Sequence, residues 1–79
     1  MNMPKYDNIF TNNALRKMKA LGLSEALVLD VYNTGESEKS DIGGFNAVKK
    51  FSGYEIGVYY NRDSRGAYKI ISVWKRGRR

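Results

Sequence analysis

FSGYEIGVYYNRDSRGAYKIISVWKRGRR, residues 51–79, reads as two strands joined by a polar turn. Ser52-Gly53 makes a tight turn, after which Tyr54, Ile56, Val58 and Tyr60 alternate with Glu55, Gly57 and Tyr59. That two-residue period predicts a strand with one face turned inward. Residues 61–66 are polar and turn-forming, and 67–75 return as a run rich in β-branched and aromatic side chains. The faces of this second strand are Tyr68/Ile70/Ser72/Trp74 and Lys69/Ile71/Val73/Lys75. Both are mixed, so alternation does not decide which one meets the interior; a sheet covered on one side leaves one wet, mixed face.

Working outward, residues 45–51 predict a further strand, preceded at 36–44 by a polar loop or frayed lead ending in Gly-Gly. Before it lie two helical patterns. Thr11, Asn12 and Asn13 offer caps for the first, in which Leu15, Met18 and Leu21 recur at three-residue spacing until Gly22 stops it. Ser24 caps the second, Glu25 stands in its first turn, and Leu27, Val28, Val31 and Tyr32 form its stripe. Each helix is too short to persist alone, so something must cover its apolar face. The expectation is an α+β fold: two N-terminal helices packed on an antiparallel sheet of three or four strands, with Leu15, Met18, Leu27, Val31, Ile56 and Val58 in the core. One domain spans 1–79, with a helical hairpin at about 11–34, a sheet at about 44–76 and a basic tail at 77–79.

Charge is unevenly spread. Residues 49–79 hold nine Lys/Arg against two Asp/Glu, whereas 1–48 hold five against six, giving +6 for all 79 residues. The basic half is also the richer in aromatic residues, a combination that points at a polyanion such as RNA or DNA, with solubility alone as the plainer use of the cations. The chain has no Cys and no His. That removes disulfides, thiol nucleophiles, the usual neutral-pH acid/base and the commonest zinc ligand. Asp30, Glu36, Glu38 and Asp41 are too scattered for a hard-cation loop, so neither a metal nor a cofactor is expected. No apolar run reaches membrane-spanning length and no leader pattern opens the sequence, which makes the cytoplasm the expected compartment. A core this small is marginal, so a protein partner or a homodimer is expected to help it.

The candidate contacts to nucleic acid are Arg62, Arg65, Lys69, Lys75, Arg76, Arg78 and Arg79, beside Tyr54, Tyr59, Tyr68 and Trp74, with Lys49 and Lys50 entering the same basic half. A guanidinium fork holds two phosphate oxygens, and an aromatic ring stacks on an exposed base. The same residues also serve as turn cations and cross-strand packing. Lys75 and Arg76 are neighbours on a strand, so they point to opposite faces and do different jobs.

NALRKMKALGLSEALVLDVYNTG (13–35) and FSGYEIGVYYNRDSRGAYKIISVWKR (51–76), in that order, resemble the bacterial domain of unknown function 4258, related to the RelE/BrnT-like toxin superfamily. The resemblance covers about residues 9–76 and is strongest over 53–76. It implies a RelE-like scaffold and a toxin-type endoribonuclease that cuts RNA, free or ribosome-bound, and is silenced by an antitoxin. It also assigns roles. The family's frequent His at the start of the first helix falls on Asn13, and its basic and aromatic strand positions fall on Tyr54, Arg62, Tyr68, Lys75 and Arg76. An amide binds a phosphate or base but does not shuttle protons near neutral pH, so Asn13 takes at most a binding role.

Cleavage would run by attack of the ribose 2′-OH on its own phosphate. Lys75 would be the base, provided that burial or neighbouring cations activate it. Arg76 and Arg62 would stabilise the phosphorane, while Tyr54 or Tyr68 would donate a proton or stack. The alternatives are a non-catalytic nucleic-acid-binding or protein-interaction module, and a neutralising partner that docks through a sheet edge.

Overall fold

The computed structural model describes residues 9–77, so Arg78 and Arg79 lie outside the described residues. Two helices, α1 (Asn12–Leu21) and α2 (Glu25–Thr34), precede four strands, β1 (Glu36–Lys39), β2 (Phe45–Phe51), β3 (Tyr54–Arg62) and β4 (Tyr68–Gly77). The strands pair in chain order as an antiparallel meander, with α1 packed on β4 and α2 on β2 and β3. The α+β expectation therefore holds. No helix among the described residues is long and apolar enough to cross a membrane.

The helix ends follow local chemistry. Thr11 Oγ1 accepts from Ala14 N at 3.2 Å, and Ser24 Oγ accepts from Leu27 N at 3.1 Å. Gly22 closes α1 in the left-handed region (φ 72°), where Leu23 N donates to Met18 O at 2.9 Å.

The sheet begins earlier than expected. Residues 36–39 form edge strand β1, paired with β2 from Glu36↔Val48 to Lys39↔Phe45, and only 40–44 turn. All four β1 residues are exposed, so it has no apolar face to announce it. The core also needs one correction: Leu15 is 40% exposed, while Ala14 and Met18 form the buried face of α1 and Phe10, just before the helix, is buried with them. The small Ala14 lets α1 approach β4 closely. Met18, Val31, Ile56 and Val58 are buried as expected, joined by Val28, Ala47, Ile70 and Val73, with Leu27 half-buried against them.

A bulge resolves the mixed faces of β4. The register runs from Tyr54↔Gly77 to Tyr59↔Ser72 and then slips to Tyr60↔Ile70, leaving Ile71 as an extra residue. The side chains of Tyr68, Ile70, Val73 and Lys75 thus share the helix side with Ile56 and Val58, while Lys69, Ser72, Trp74 and Arg76 share the open side. Each face is half of one expected set spliced to half of the other. The Ile71 carbonyl, turned out of the ladder, accepts from Thr11 Oγ1 at 3.1 Å and Asn13 Nδ2 at 2.9 Å. The start of α1 is thereby tied to the bulge.

Candidate nucleic-acid interface and an acidic edge

The sheet distributes the expected site residues over two faces. On the helix side, the Lys75 ammonium sits 4.8 Å from the centre of the Tyr54 ring, which stacks on Phe51. Lys49, on the same side, bonds Asp30 of α2 at 2.6 Å and Thr34 at 3.1 Å. At the far end of β3, Arg62 lies over Tyr68 and reaches its hydroxyl at 3.2 Å. Eight residue steps of β3 separate Tyr54 from Arg62, roughly 26 Å. The five residues assigned to cleavage therefore do not converge: Lys75 with Tyr54 occupies one end, Arg62 with Tyr68 the other, and Arg76 the opposite face. Lys75 is exposed, without the burial that its role as a base calls for.

Sequence reasoning missed what surrounds Tyr68. Tyr60 meets Tyr32 edge-on at 5.0 Å, stacks with Phe45 at 5.5 Å, meets Tyr68 edge-on at 5.8 Å and bonds Ser37 at 2.9 Å. Burial, then the neighbouring Tyr60 and Tyr68, raise the Tyr32 phenol above its ordinary value. This cluster joins α2 to all four strands and is packing in character.

Asn13 is engaged through its amide with Ile71, and Arg65 lies at the tip of the β3–β4 turn. That turn is built on Asp63, whose carboxylate accepts from Arg65 N at 2.9 Å and Ala67 N at 3.0 Å. The Ala67 and Arg65 backbone bonds, in that order, lower its pKa.

The open face carries Arg76, Trp74, Lys69 and Lys50. Trp74 stands opposite Gly57, where a Cβ would overlap the indole, and the Arg76 guanidinium lies 4.9 Å from the indole centre. Arg76 also forms an ion pair with Glu55, which is 7% exposed. Beside the indole opens a hollow of about 270 Å³, lined by Glu36, Glu38, Asn46, Val48, Lys50, Glu55, Trp74 and Arg76. Across one row, Glu36, Val48, Gly57 and Trp74 are successive ladder partners, and the indole lies over Gly57 with the hollow between it and Glu36. Three carboxylates outnumber two cations there. No three acidic side chains among the described residues are grouped as metal ligands.

The fold also redistributes charge. α1 brings Arg16, Lys17 and Lys19 with no acid, and it packs on β4, which brings Lys69, Lys75 and Arg76 with no acid. The opposite flank, α2 and β1, carries Glu25, Asp30, Glu36 and Glu38 against Lys39 alone. The domain thus has a basic flank and an acidic one, although α1 comes from the acidic half of the sequence. No protein-family model, curated protein or solved structure matches this chain.

Proposed function

We propose that this chain is a cytoplasmic nucleic-acid-binding domain that holds a single strand of RNA or DNA along its α1/β4 flank without cutting it. The observation that carries this reading is the pairing of two acid-free elements at one edge of the sheet, with α1 and Lys75 on its helix side and Lys69 on its open face. Such a stripe attracts a phosphate backbone and releases its counterions. Trp74 and Arg76, on the open face of β4, belong instead to the hollow, where the guanidinium lies over the indole and is paired with Glu55.

A toxin-type endoribonuclease held by an antitoxin, the activity implied by the family resemblance, fits this geometry less well. Attack by a 2′-OH needs base, proton donor and charge stabiliser around one phosphate. Here Lys75, Arg76, Arg62, Tyr54 and Tyr68 are dispersed.

The test is titration of a labelled single-stranded RNA, and of the matching DNA, at several salt concentrations. Lys17→Glu with Lys19→Glu is expected to weaken binding and to lower the slope of log affinity against log salt by about 0.7 for each phosphate that is no longer neutralised. Lys39→Glu, on the acidic flank, is the control and leaves the slope unchanged. Absence of binding at low salt overturns the reading. RNA cut in the presence of chelator, and spared when Lys75→Ala is used, overturns the non-catalytic part and restores the nuclease.

A further inference from the structure

β1 is the edge of the sheet, and no other described strand pairs with its outer side. An open edge presents unpaired backbone N–H and C=O groups, which are a template for another strand. The side chains of this edge state what kind of strand it accepts. Glu36 and Glu38, two residues apart, both point to the open face and form one rim of the hollow, with Val48 and Asn46 beside them and Trp74 across it.

A second copy of β1 is repelled. Two antiparallel β1 strands related by a two-fold axis normal to the sheet keep their faces, so even-numbered residues oppose even-numbered ones. Every such register of Glu36–Lys39 sets Glu36 or Glu38 against Glu36 or Glu38 of the partner, or Lys39 against Lys39. A nucleic-acid backbone is disfavoured by the same carboxylates. The homodimer expected from the small core therefore does not form through this edge.

We propose that β1 and the hollow are the docking site for an extended basic segment of another protein, which adds to the sheet as a fifth strand. Its backbone pairs with the outer side of β1, and its alternate side chains, Lys or Arg at two-residue spacing, stand opposite Glu36 and Glu38. The hollow's remaining carboxylate, Glu55, is already paired with Arg76, so Glu36 and Glu38 supply the charge that meets the added strand. The cation on the indole itself is the chain's own Arg76, which is also paired with Glu55.

Trp74 is the only tryptophan, so its emission reports on the hollow directly. The experiment titrates the full chain with an end-capped peptide alternating Lys with Val and Thr, and with a peptide of the same composition whose lysines are contiguous. Expected are a saturable change in Trp74 emission with the alternating peptide, tighter binding of it than of the contiguous one, and new amide-exchange protection within 36–39. Glu36→Lys with Glu38→Lys is expected to weaken the alternating peptide at least tenfold. Both glutamates are exposed, so the melting point should hold, and Glu38→Gln provides a milder second variant. RNA binding by the same variants is retained, which separates this site from the basic flank. Equal affinity of the two peptides, unchanged affinity in the Glu36/Glu38 variant, or no protection within 36–39 overturns the proposal.

Discussion

Trp74 stands opposite Gly57 on the β3–β4 ladder, and its indole occupies the space that a side chain at Gly57 would fill. The pair works as a unit: the missing Cβ makes room for the ring, and the ring covers backbone that glycine would otherwise leave bare.

Gly57→Ala is therefore expected to destabilise the domain by about 1–3 kcal/mol, because a buried Cβ forces the indole off its site. Denaturant unfolding measures the loss, and Trp74 emission should shift to the red. If alanine were neutral in both readouts, the ring would not rest where the structure puts it.

Ile56→Ala and Leu15→Ala form a contrasting pair. Ile56 is fully buried, and its truncation should cost about 2–5 kcal/mol, enough to threaten so small a domain. Leu15 is 40% exposed and should cost under about 1 kcal/mol. Equal unfolding midpoints for the two variants would contradict the phase assigned to α1.

Asn13→Ala removes the amide that reaches the Ile71 carbonyl. The expected loss is about 1 kcal/mol of stability, with RNA affinity unchanged, since Thr11 remains on the same carbonyl. An affinity loss larger than the stability change would return Asn13 to the binding surface.

Asp63 and Tyr32 respond to pH at opposite ends of the range. The Asp63 carboxylate has a folded pKa below its ordinary 3.8, so its contribution is present above that value and disappears as pH falls through the folded pKa. The protection factors of the Arg65 and Ala67 amides should fall there, and Asp63→Asn should flatten the response. Tyr32 is the opposite case: its folded pKa lies above the ordinary 10.0, so its contribution is complete below 10.0 and declines as pH rises through the folded value. Tyr32→Phe should make alkaline unfolding less pH-dependent, as followed by circular dichroism.

The parts of the fold that depend on local chemistry were legible in the sequence. Thr11 and Ser24 cap helices because their hydroxyls satisfy amides three residues on, and Gly22 ends α1 because glycine adopts a positive φ without strain. Features decided at longer range were not. β1 is polar on both sides, so it gives no hydrophobic period, and Leu15 yields the buried position to Ala14 because the closeness of β4 selects the smaller residue. The alternation in β4 breaks at Ile71, which hid its faces. At the candidate site, residue types were visible but convergence was not, since Glu36, Val48, Gly57 and Trp74 become one row only once three ladders are in register.

The supernumerary Ile71 has a consequence for how this domain tolerates length change. Removing that one residue would leave Ile70 and Ser72 as ladder neighbours with their partners Tyr60 and Tyr59 unaltered, so the strand would keep its inside and outside. What would vanish is the outward carbonyl to which Thr11 and Asn13 are moored. A deletion silent to strand pairing would thus leave α1 held by the Ile70 carbonyl, which accepts from Thr11 N at 3.1 Å and Thr11 Oγ1 at 2.9 Å, and by the packing of Ala14 and Met18.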